Sequence, residues 1–579
     1  CVPTPALRAA RARALDIHSL MLLAVGGAIA LGDWLEAASV LWLFGVAQGL
    51  ERRSMERARR AVGSLLAVAP AQALVLRDGR EQLVEAAHVN LADVVIVRPG
   101  ARIPVDGVVL RGASAVNQAP VTGESRPADK SAGDEVFAGT INGTGALEIE
   151  TLRVAADTTV AHIARLVEEA QRRRAPLQSF VDRFARRYTP AVVALAALVA
   201  LVPPLAWDAS VGAWATWAYR ALTLVVVACP CALVISTPVS IVSALTAAAK
   251  SGVLIKGGAH LERLSAIRCV AFDKTGTLTH DDVMVTGVFG VDGASEYGVL
   301  TVAAALESRS EHPIGRAIVS RARFQGLAIA PGDEYRALPG LGAEARVAES
   351  PAIVGNHRLF EERRLCTPSL HDHIDRVTGG GGTAVLVGHA GSALGVIGLA
   401  DQMRPGSREA IHALRGAGID RVVLLSGDGR AMVDAAMTAG GLDEAHAGLL
   451  PSDKAALVES LRERYGPVAM VGDGINDAPA LAAADVGIAM GLGGADAAIE
   501  TADVALMSDD LATLPYAVKL ARTAMANIRL NVGLALGMKL AFVALAAAGS
   551  ATLWMAVLAD TGASLLVTAN GLRLLNVRR

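Results

Sequence analysis

The chain has 579 residues, enough for about three to five domains and several buried cores. Lys and Arg number 54 against 56 Asp and Glu, so the formal charge of −2 excludes the basic excess of an electrostatic nucleic-acid binder. Apolar residues reach 53% and charged residues only 19%, against a usual value of about 25%; this excludes a disordered chain and points to bilayer spans joined to water-soluble domains. Five cysteines exclude a disulfide scaffold. The chain opens with Cys1 rather than Met, which predicts a fragment or processed piece, and no secretory signal pattern stands at its start.

In chain order, six candidate spans arise in three pairs, the last two pairs near the roughly 20 residues a bilayer needs and the first pair short. They are 17–32 with 34–51, split at Gly32-Asp33, then 188–207 with 213–240, split by Pro203, Pro204 and Asp208, then 528–549 with 551–574. Arginines cluster at Arg8, Arg11 and Arg13, at Arg52, Arg53, Arg57, Arg59 and Arg60, at Arg172, Arg173 and Arg174, and at Arg573, Arg578 and Arg579. The links within pairs carry almost none. The positive-inside bias therefore predicts cytoplasmic termini and cytoplasmic segments at 52–187 and 241–527. The first segment places short apolar runs (74–76, 94–97, 105–109) between turn residues and predicts a small β-rich domain. The second alternates strands with helical stretches, as an α/β domain does, with a glycine loop at 379–382.

The sharpest motif is Val270-Ala271-Phe272-Asp273-Lys274-Thr275-Gly276-Thr277-Leu278-Thr279. An apolar strand runs into an Asp, followed by a tight turn of hydroxyl residues. Doubly wound folds bind ligands at that end of a strand, and a carboxylate there can attack a phosphoryl group to form an aspartyl phosphate. A second acidic turn, Met470-Val471-Gly472-Asp473-Gly474-Ile475-Asn476-Asp477, offers Asp473 and Asp477 as oxygen ligands for Mg²⁺. Between them lie Ser426-Gly427-Asp428, after the apolar run 422–425, and Lys454. A hydroxyl and an ammonium are what a transferring phosphoryl group needs for charge neutralisation.

The string Asp273-Lys274-Thr275-Gly276-Thr277 together with Gly472-Asp473-Gly474-Ile475-Asn476-Asp477 resembles the P-type ATPases, and Thr122-Gly123-Glu124-Ser125 matches the actuator motif of that family. The resemblance covers about 17–575. It implies a membrane α-helical bundle with a cytoplasmic β-rich actuator domain. It also implies an α/β haloacid-dehalogenase-like phosphorylation domain that carries an α+β nucleotide-binding insert. The boundaries expected are 1–60 for the first transmembrane pair, 61–187 for the actuator, and 188–261 for the second pair with Cys-Pro-Cys. The phosphorylation domain takes 262–282 and 396–510, the nucleotide-binding domain 283–395, and the third pair 511–579. The resemblance further implies that ATP phosphorylates Asp273, flanked by Lys274, and that Thr275 positions phosphate and Mg²⁺ while Asp473 and Asp477 ligate Mg²⁺. Asn476 belongs to the same turn. Glu124, in the turn with Thr122 and Gly123, would orient the hydrolytic water. Ser308-Arg309-Ser310-Glu311-His312-Pro313 resembles the nucleotide signature of the heavy-metal branch, with His312 and Pro313 at the adenine and Glu307, Gly340, Gly342 and Asn356 around it.

Cys229-Pro230-Cys231 interrupts an apolar span. Pro230 cannot donate a backbone hydrogen bond, unwound backbone in a membrane must line a cavity or be buried in protein, and two thiols there suit a soft or borderline ion. Lys539 and Asp560 are intramembrane charges, which are costly and usually functional. Two thiolates and one carboxylate carry three negative charges, which a divalent ion and Lys539 neutralise and a monovalent copper ion does not. Lys539 and Asp560-x-Gly562 also resemble the zinc/cadmium/lead exporters, where copper exporters place Asn, Tyr, Met and Ser. Cys229, Cys231 and Asp560 are thus expected as ligands, Lys539 as the counter-ion and Glu36 on the release path. Two departures from the family stand out. Gln48 occupies a position where zinc exporters tend to have Glu, and the branch normally has two further spans before this point.

The expectation is an ATP-driven exporter of Zn²⁺, Cd²⁺ or Pb²⁺, a monomer in a bacterial plasma membrane with ATP and Mg²⁺ as cofactors and no nucleic-acid partner. The alternatives are a copper(I) exporter of the same branch, a soluble haloacid-dehalogenase-type phosphatase and a non-catalytic metal-binding membrane protein.

Overall fold

The computed structural model describes residues 17–66, 70–122, 127–161, 165, 176–207, 210–227, 231–473, 477–491, 501–508, 510–547, 550 and 552–577. They form two compact units, one of Cys1–Ala266 with Asp503–Ser508 and Tyr516–Arg579, the other of Ile267–Ala502 with Asp509–Pro515.

The first unit holds the apolar helices α1 (Ile17–Ala30), α2 (Trp34–Leu66), α3 (Pro176–Ala206), α4 (Val211–Val227), α5 (Cys231–Lys250), α6 (Thr513–Ala547) and α7 (Leu553–Leu572). Among the described residues, four stretches, Arg187–Ala206, Val211–Lys250, Thr513–Ala546 and Leu553–Asn576, are long and apolar enough to cross a bilayer. The first pair is shorter, with apolar helix at Met21–Ala30 and Trp34–Val46. Helix α7 packs on α5 and α2, α3 on α4, and α1 on α4. Small side chains permit close approach at these seams, and Ala24, Ala28, Ala37 and Ala556 sit among Met21, Phe44 and Val557 in one buried cluster.

Helix α3 runs through Pro203 and Pro204 to Ala206, within the 188–207 span the sequence marks, and Trp207 N–H closes its last turn on the Pro203 carbonyl at 3.0 Å. One boundary differs from the sequence expectation. Helix α2 continues past 51 to Leu66, since its Arg-, Ala- and Glu-rich continuation has high helix propensity without needing lipid.

Between α2 and α3 lies an antiparallel β-domain. Its six-stranded sheet runs in the order Arg80–Glu85, Gln72–Arg77, Val94–Val97, Leu147–Arg153, Asp106–Arg111, Glu135–Val136. Val75, Val95, Val97, Ile103, Val109, Leu147 and Ile149 form its core. The buried Asp106 carboxylate accepts from Ala138 N–H at 2.7 Å, from Thr159 N–H at 2.6 Å and from the Thr159 hydroxyl at 2.7 Å, pinning the loop that closes the sheet.

The second unit is built on five parallel strands: β1 (Cys269–Asp273), β2 (Arg421–Leu425), β3 (Glu444–His446), β4 (Val468–Gly472) and β5 (Val486–Met490). Their spatial order is β5-β4-β1-β2-β3. All residues of β1 and β4 are buried, as the apolar runs of parallel strands covered on both faces require. A six-stranded antiparallel sheet is inserted between β1 and β2, in the order Thr279–Gly290, Ser392–Met403, Thr383–His389, Ser350–Gly355, Gly342–Val347, Asp333–Leu338. Helices Glu296–Glu307 and Pro313–Phe324 cover it and bury Leu300, Ala304, Leu306 and Ile318 against Val354, Val387 and Ile397.

Candidate active site and intramembrane ion site

Parallel pairing brings the carboxyl ends of β1, β2 and β4 together, with Asp273 level with Leu425 and Phe272 level with Val471. Turns leaving that edge carry the polar groups, as in doubly wound folds generally. Lys454 projects from the helix Pro451–Tyr465 and is itself buried. Its Nζ donates to Asp273 Oδ1 at 2.5 Å and to Asp477 Oδ1 at 2.7 Å. Burial, and then the neighbouring Asp477 charge, push the Asp273 carboxyl up to about 7 despite Lys454. Burial pulls the Lys454 ammonium down, but the two carboxylates more than offset it and hold it above its ordinary value.

Lys274, the residue after Asp273, is buried and ion-paired to both Asp401 and Asp428. Burial opposes its charge, and the two carboxylates again leave its ammonium above the ordinary value. Asp428 is tied back to Ser426, whose hydroxyl donates to Asp428 Oδ2 at 2.9 Å and accepts from Asp428 N–H at 3.1 Å. Thr275 is exposed, and Gly276 turns the chain at φ +71°, a left-handed conformation that suits glycine. Arg404 Nη2 donates to the Gly276 carbonyl at 2.8 Å and so fixes that turn. Asp401 and Arg404, at the end of the strand Ser392–Met403, went unnoticed in the sequence. The signal was present, since Leu399-Ala400-Asp401 is a third apolar run ending in Asp.

Asp477 Oδ2 is buried with no hydrogen-bond partner among the described residues, and a Cβ on Gly472 would lie 2.7 Å from it. Asp473 is half-buried beside the same turn. An oxygen-only donor set with one orphaned carboxylate oxygen fits a hard divalent ion such as Mg²⁺. Asn476 lies outside the described residues, as do Gly123 and Glu124; Thr122 ends the short helix Ala119–Thr122.

The insert residues fall into two groups. His312 caps the helix Pro313–Phe324, its Nδ1 accepting from Ile314 N–H at 3.2 Å. Since Nδ1 is an acceptor, Nε2 carries the ring proton in the neutral form. Glu307 is buried at the end of the preceding helix, and burial raises its carboxyl, opposed by Ser310 and His312. Gly340 and Gly342 have φ of +73° and +149°, and a Cβ on Gly342 would overlap the Val354 carbonyl. Asn356 Nδ2 donates to the Gly340 carbonyl at 2.9 Å while its Oδ1 accepts from Leu359 N–H at 3.0 Å. One amide thus locks the glycine turn to the start of the helix His357–Glu362.

In the apolar helices, Lys539 Nζ lies 3.1 Å from Asp560 Oδ1 and donates to the Val227 carbonyl, the last of α4, at 3.3 Å. Val227, Met538, Phe542 and Ala559 line a pocket around the pair. Helix α4 ends at Val227 and α5 begins at Cys231; Cys229 and Pro230 lie outside the described residues, as does the side chain of Cys231. Glu36 Oε1 accepts from the Tyr219 hydroxyl at 3.0 Å, and that hydroxyl accepts from Leu553 N–H at 3.1 Å. Glu36 Oε2 is buried with no partner among the described residues. A polar ladder also joins α5, α6 and α7. Ser240 and Asn531 both donate to Asn527 Oδ1 at 3.1 Å, and Asn570 donates to Asn531 Oδ1 at 2.7 Å. The spacing of Asn527 and Asn531, one helical turn apart in an apolar run, was its signal in the sequence.

Residues 267–485 match a family model for haloacid dehalogenase-like hydrolases, and 67–168 match the P-type ATPase actuator domain. A probable cadmium-transporting ATPase of Staphylococcus aureus (strain MRSA252) is 45% identical over 569 residues, covering 97% of this chain and 78% of that protein. A zinc/cadmium/lead-transporting P-type ATPase of Escherichia coli (strain K12) is 44% identical over 566 residues, covering 97% and 75%. Among solved structures, the crystal structure of a zinc-transporting PIB-type ATPase in the E2.Pi state superposes with TM-score 0.67 at 42% identity, covering 99% of this chain and 93% of that one.

Proposed function

Because this chain belongs to the heavy-metal-transporting P-type ATPases, we propose that it uses ATP to expel a soft divalent ion, Zn²⁺, Cd²⁺ or Pb²⁺, from the cytoplasm. Asp273 is the nucleophile. One of its carboxylate oxygens forms a bond to the γ-phosphorus of ATP, the bond from that phosphorus to the bridging oxygen breaks, and ADP leaves. Lys454 holds the attacking carboxylate in place and offsets charge on the phosphoryl oxygens. Lys274, clamped by Asp401 and Asp428, fixes the backbone that presents Asp273. Asp273, Thr275, Asp473 and Asp477 would hold Mg²⁺, which when bound supplies further charge neutralisation. Glu124, beside Thr122 and Gly123, orients the water that attacks the aspartyl phosphate and restores the Asp273 carboxylate. Glu307, His312, Pro313, Gly340, Gly342 and Asn356 receive the nucleotide; Ser426, Gly427, Asp428 and Asn476 complete the phosphoryl edge.

The observation that carries the choice of cargo is the Lys539–Asp560 pair at 3.1 Å. A fixed ammonium beside the ion site suits a divalent ion held by Cys229, Cys231 and Asp560, since the summed charge is then zero in a site where an uncompensated charge is costly. Reduced copper leaves one negative charge over. The Cd²⁺ and Zn²⁺ relatives support the same choice. Four long apolar stretches weigh against the soluble phosphatase.

The test is ATP hydrolysis by the detergent-solubilised protein with Zn²⁺, Cd²⁺, Pb²⁺ or reduced copper. Stimulation by the divalent ions and its loss in Asp273→Asn is the expected result. Stimulation by reduced copper alone, unchanged in Lys539→Ala, overturns the choice of cargo.

A further inference from the structure

The antiparallel insert holds a cluster that the catalytic and transport machinery does not use. His357 opens the helix His357–Glu362, His371 sits in the helix Pro368–Gly379, and Cys366 lies on the connection between them. A ring nitrogen of each histidine and the Cys366 sulfur all lie within 4.8 Å of one another. The two Nε2 atoms face each other at 3.0 Å, with the rings nearly perpendicular at 89°. His371 Nδ1 is 2.9 Å from the Thr367 carbonyl. A carbonyl only accepts, so Nδ1 carries the proton and Nε2 of the neutral ring presents its lone pair to the cluster. Metal-ligating histidines are oriented in this way, the second nitrogen donating to a backbone carbonyl. Glu361 approaches within 3.7 Å of His357 Nε2.

We propose that His357, Cys366 and His371 form a second, cytoplasmic binding site for a borderline or soft divalent cation, Zn²⁺ or Cd²⁺, on the inserted domain. Two imidazoles and a thiolate are the donor set such ions prefer, while hard Mg²⁺ takes oxygen. Binding displaces the Cys366 proton to solvent as the sulfur–metal bond forms. It ties two helices together at a point next to Asn356, so the site reports cytoplasmic metal to the glycine turn that Asn356 holds.

The test uses the full chain in a Cys229→Ser, Cys231→Ser background, which removes the intramembrane thiols, with Co²⁺ as probe. A thiolate-to-cobalt charge-transfer absorption that saturates at one equivalent is expected. It should disappear in Cys366→Ser, and Zn²⁺ should bind at least tenfold more weakly in His371→Ala. Hydrogen exchange across 357–379 in the background protein should slow on adding Zn²⁺, a readout that needs no cluster variant to fold. An absorption that survives Cys366→Ser, no absorption at all, or exchange unaltered by Zn²⁺ overturns the proposal and leaves a plain His357–His371 hydrogen bond.

Discussion

Asp273 and Asp477 share one buried ammonium, Lys454. Removing Lys454 leaves the nucleophile facing a like charge, and its neutral, protonated form cannot attack. Lys454→Met should therefore slow phosphoenzyme formation from labelled ATP roughly 10²–10³-fold, the cost of losing one preorganised charge-stabilising donor; a loss of under threefold would remove Lys454 from the mechanism. At the start of the same strand, Cys269 is wholly buried and burial pushes its thiol up to about 12. Cys366 is only half-buried. Since the thiolate is the reactive form, peptide mapping after alkylation of the native protein should find Cys366 modified and Cys269 untouched until denaturant is added.

Elements differed in how openly the sequence declared them. The strand ending in Asp273 and the turn ending in Asp477 were legible because an apolar run, an acid and glycines at fixed spacing suit one kind of chemistry. Asp401 and Arg404 were less so, because Leu399-Ala400-Asp401 shows only an acid after apolar residues, and their pairing with Lys274 and Gly276 arises only when the two long strands of the insert return to the parallel sheet. The span ends were blurred for a different reason, since hydropathy marks where lipid ends and not where a helix ends. The asparagine ladder between α5, α6 and α7 is of this hidden kind. Asn531→Leu should cost about 1 kcal/mol of helix–helix association, the usual scale for an intramembrane hydrogen bond, read as a lower unfolding midpoint in detergent with phosphorylation intact. In the insert, Gly342→Ala should weaken ATP binding at least tenfold in a titration, because the added methyl meets the Val354 carbonyl and displaces the turn.

At the scale of the molecule, the phosphoryl site belongs to one compact unit and the Lys539–Asp560 pair to the other. If export is driven by phosphorylation, each site must alter the free energy of the other, and the coupling is reciprocal. Asp560→Ala should therefore abolish metal-stimulated phosphorylation of Asp273 although Asp560 belongs to the other unit; phosphoenzyme levels equal to wild type with and without metal would separate the two sites. Family and reaction class were readable from motifs lying far apart along the chain. The directions of the donors proposed for the ion were not, since a sequence records donor types and not where they point. Cys269 has a last consequence. A machine that handles thiol-seeking ions carries a sulfur four residues from its own nucleophile, in the strand that aims it. Held buried and protonated in that strand, the sulfur offers no thiolate to a passing ion, so the strand that aims Asp273 should keep its geometry as the metal concentration rises.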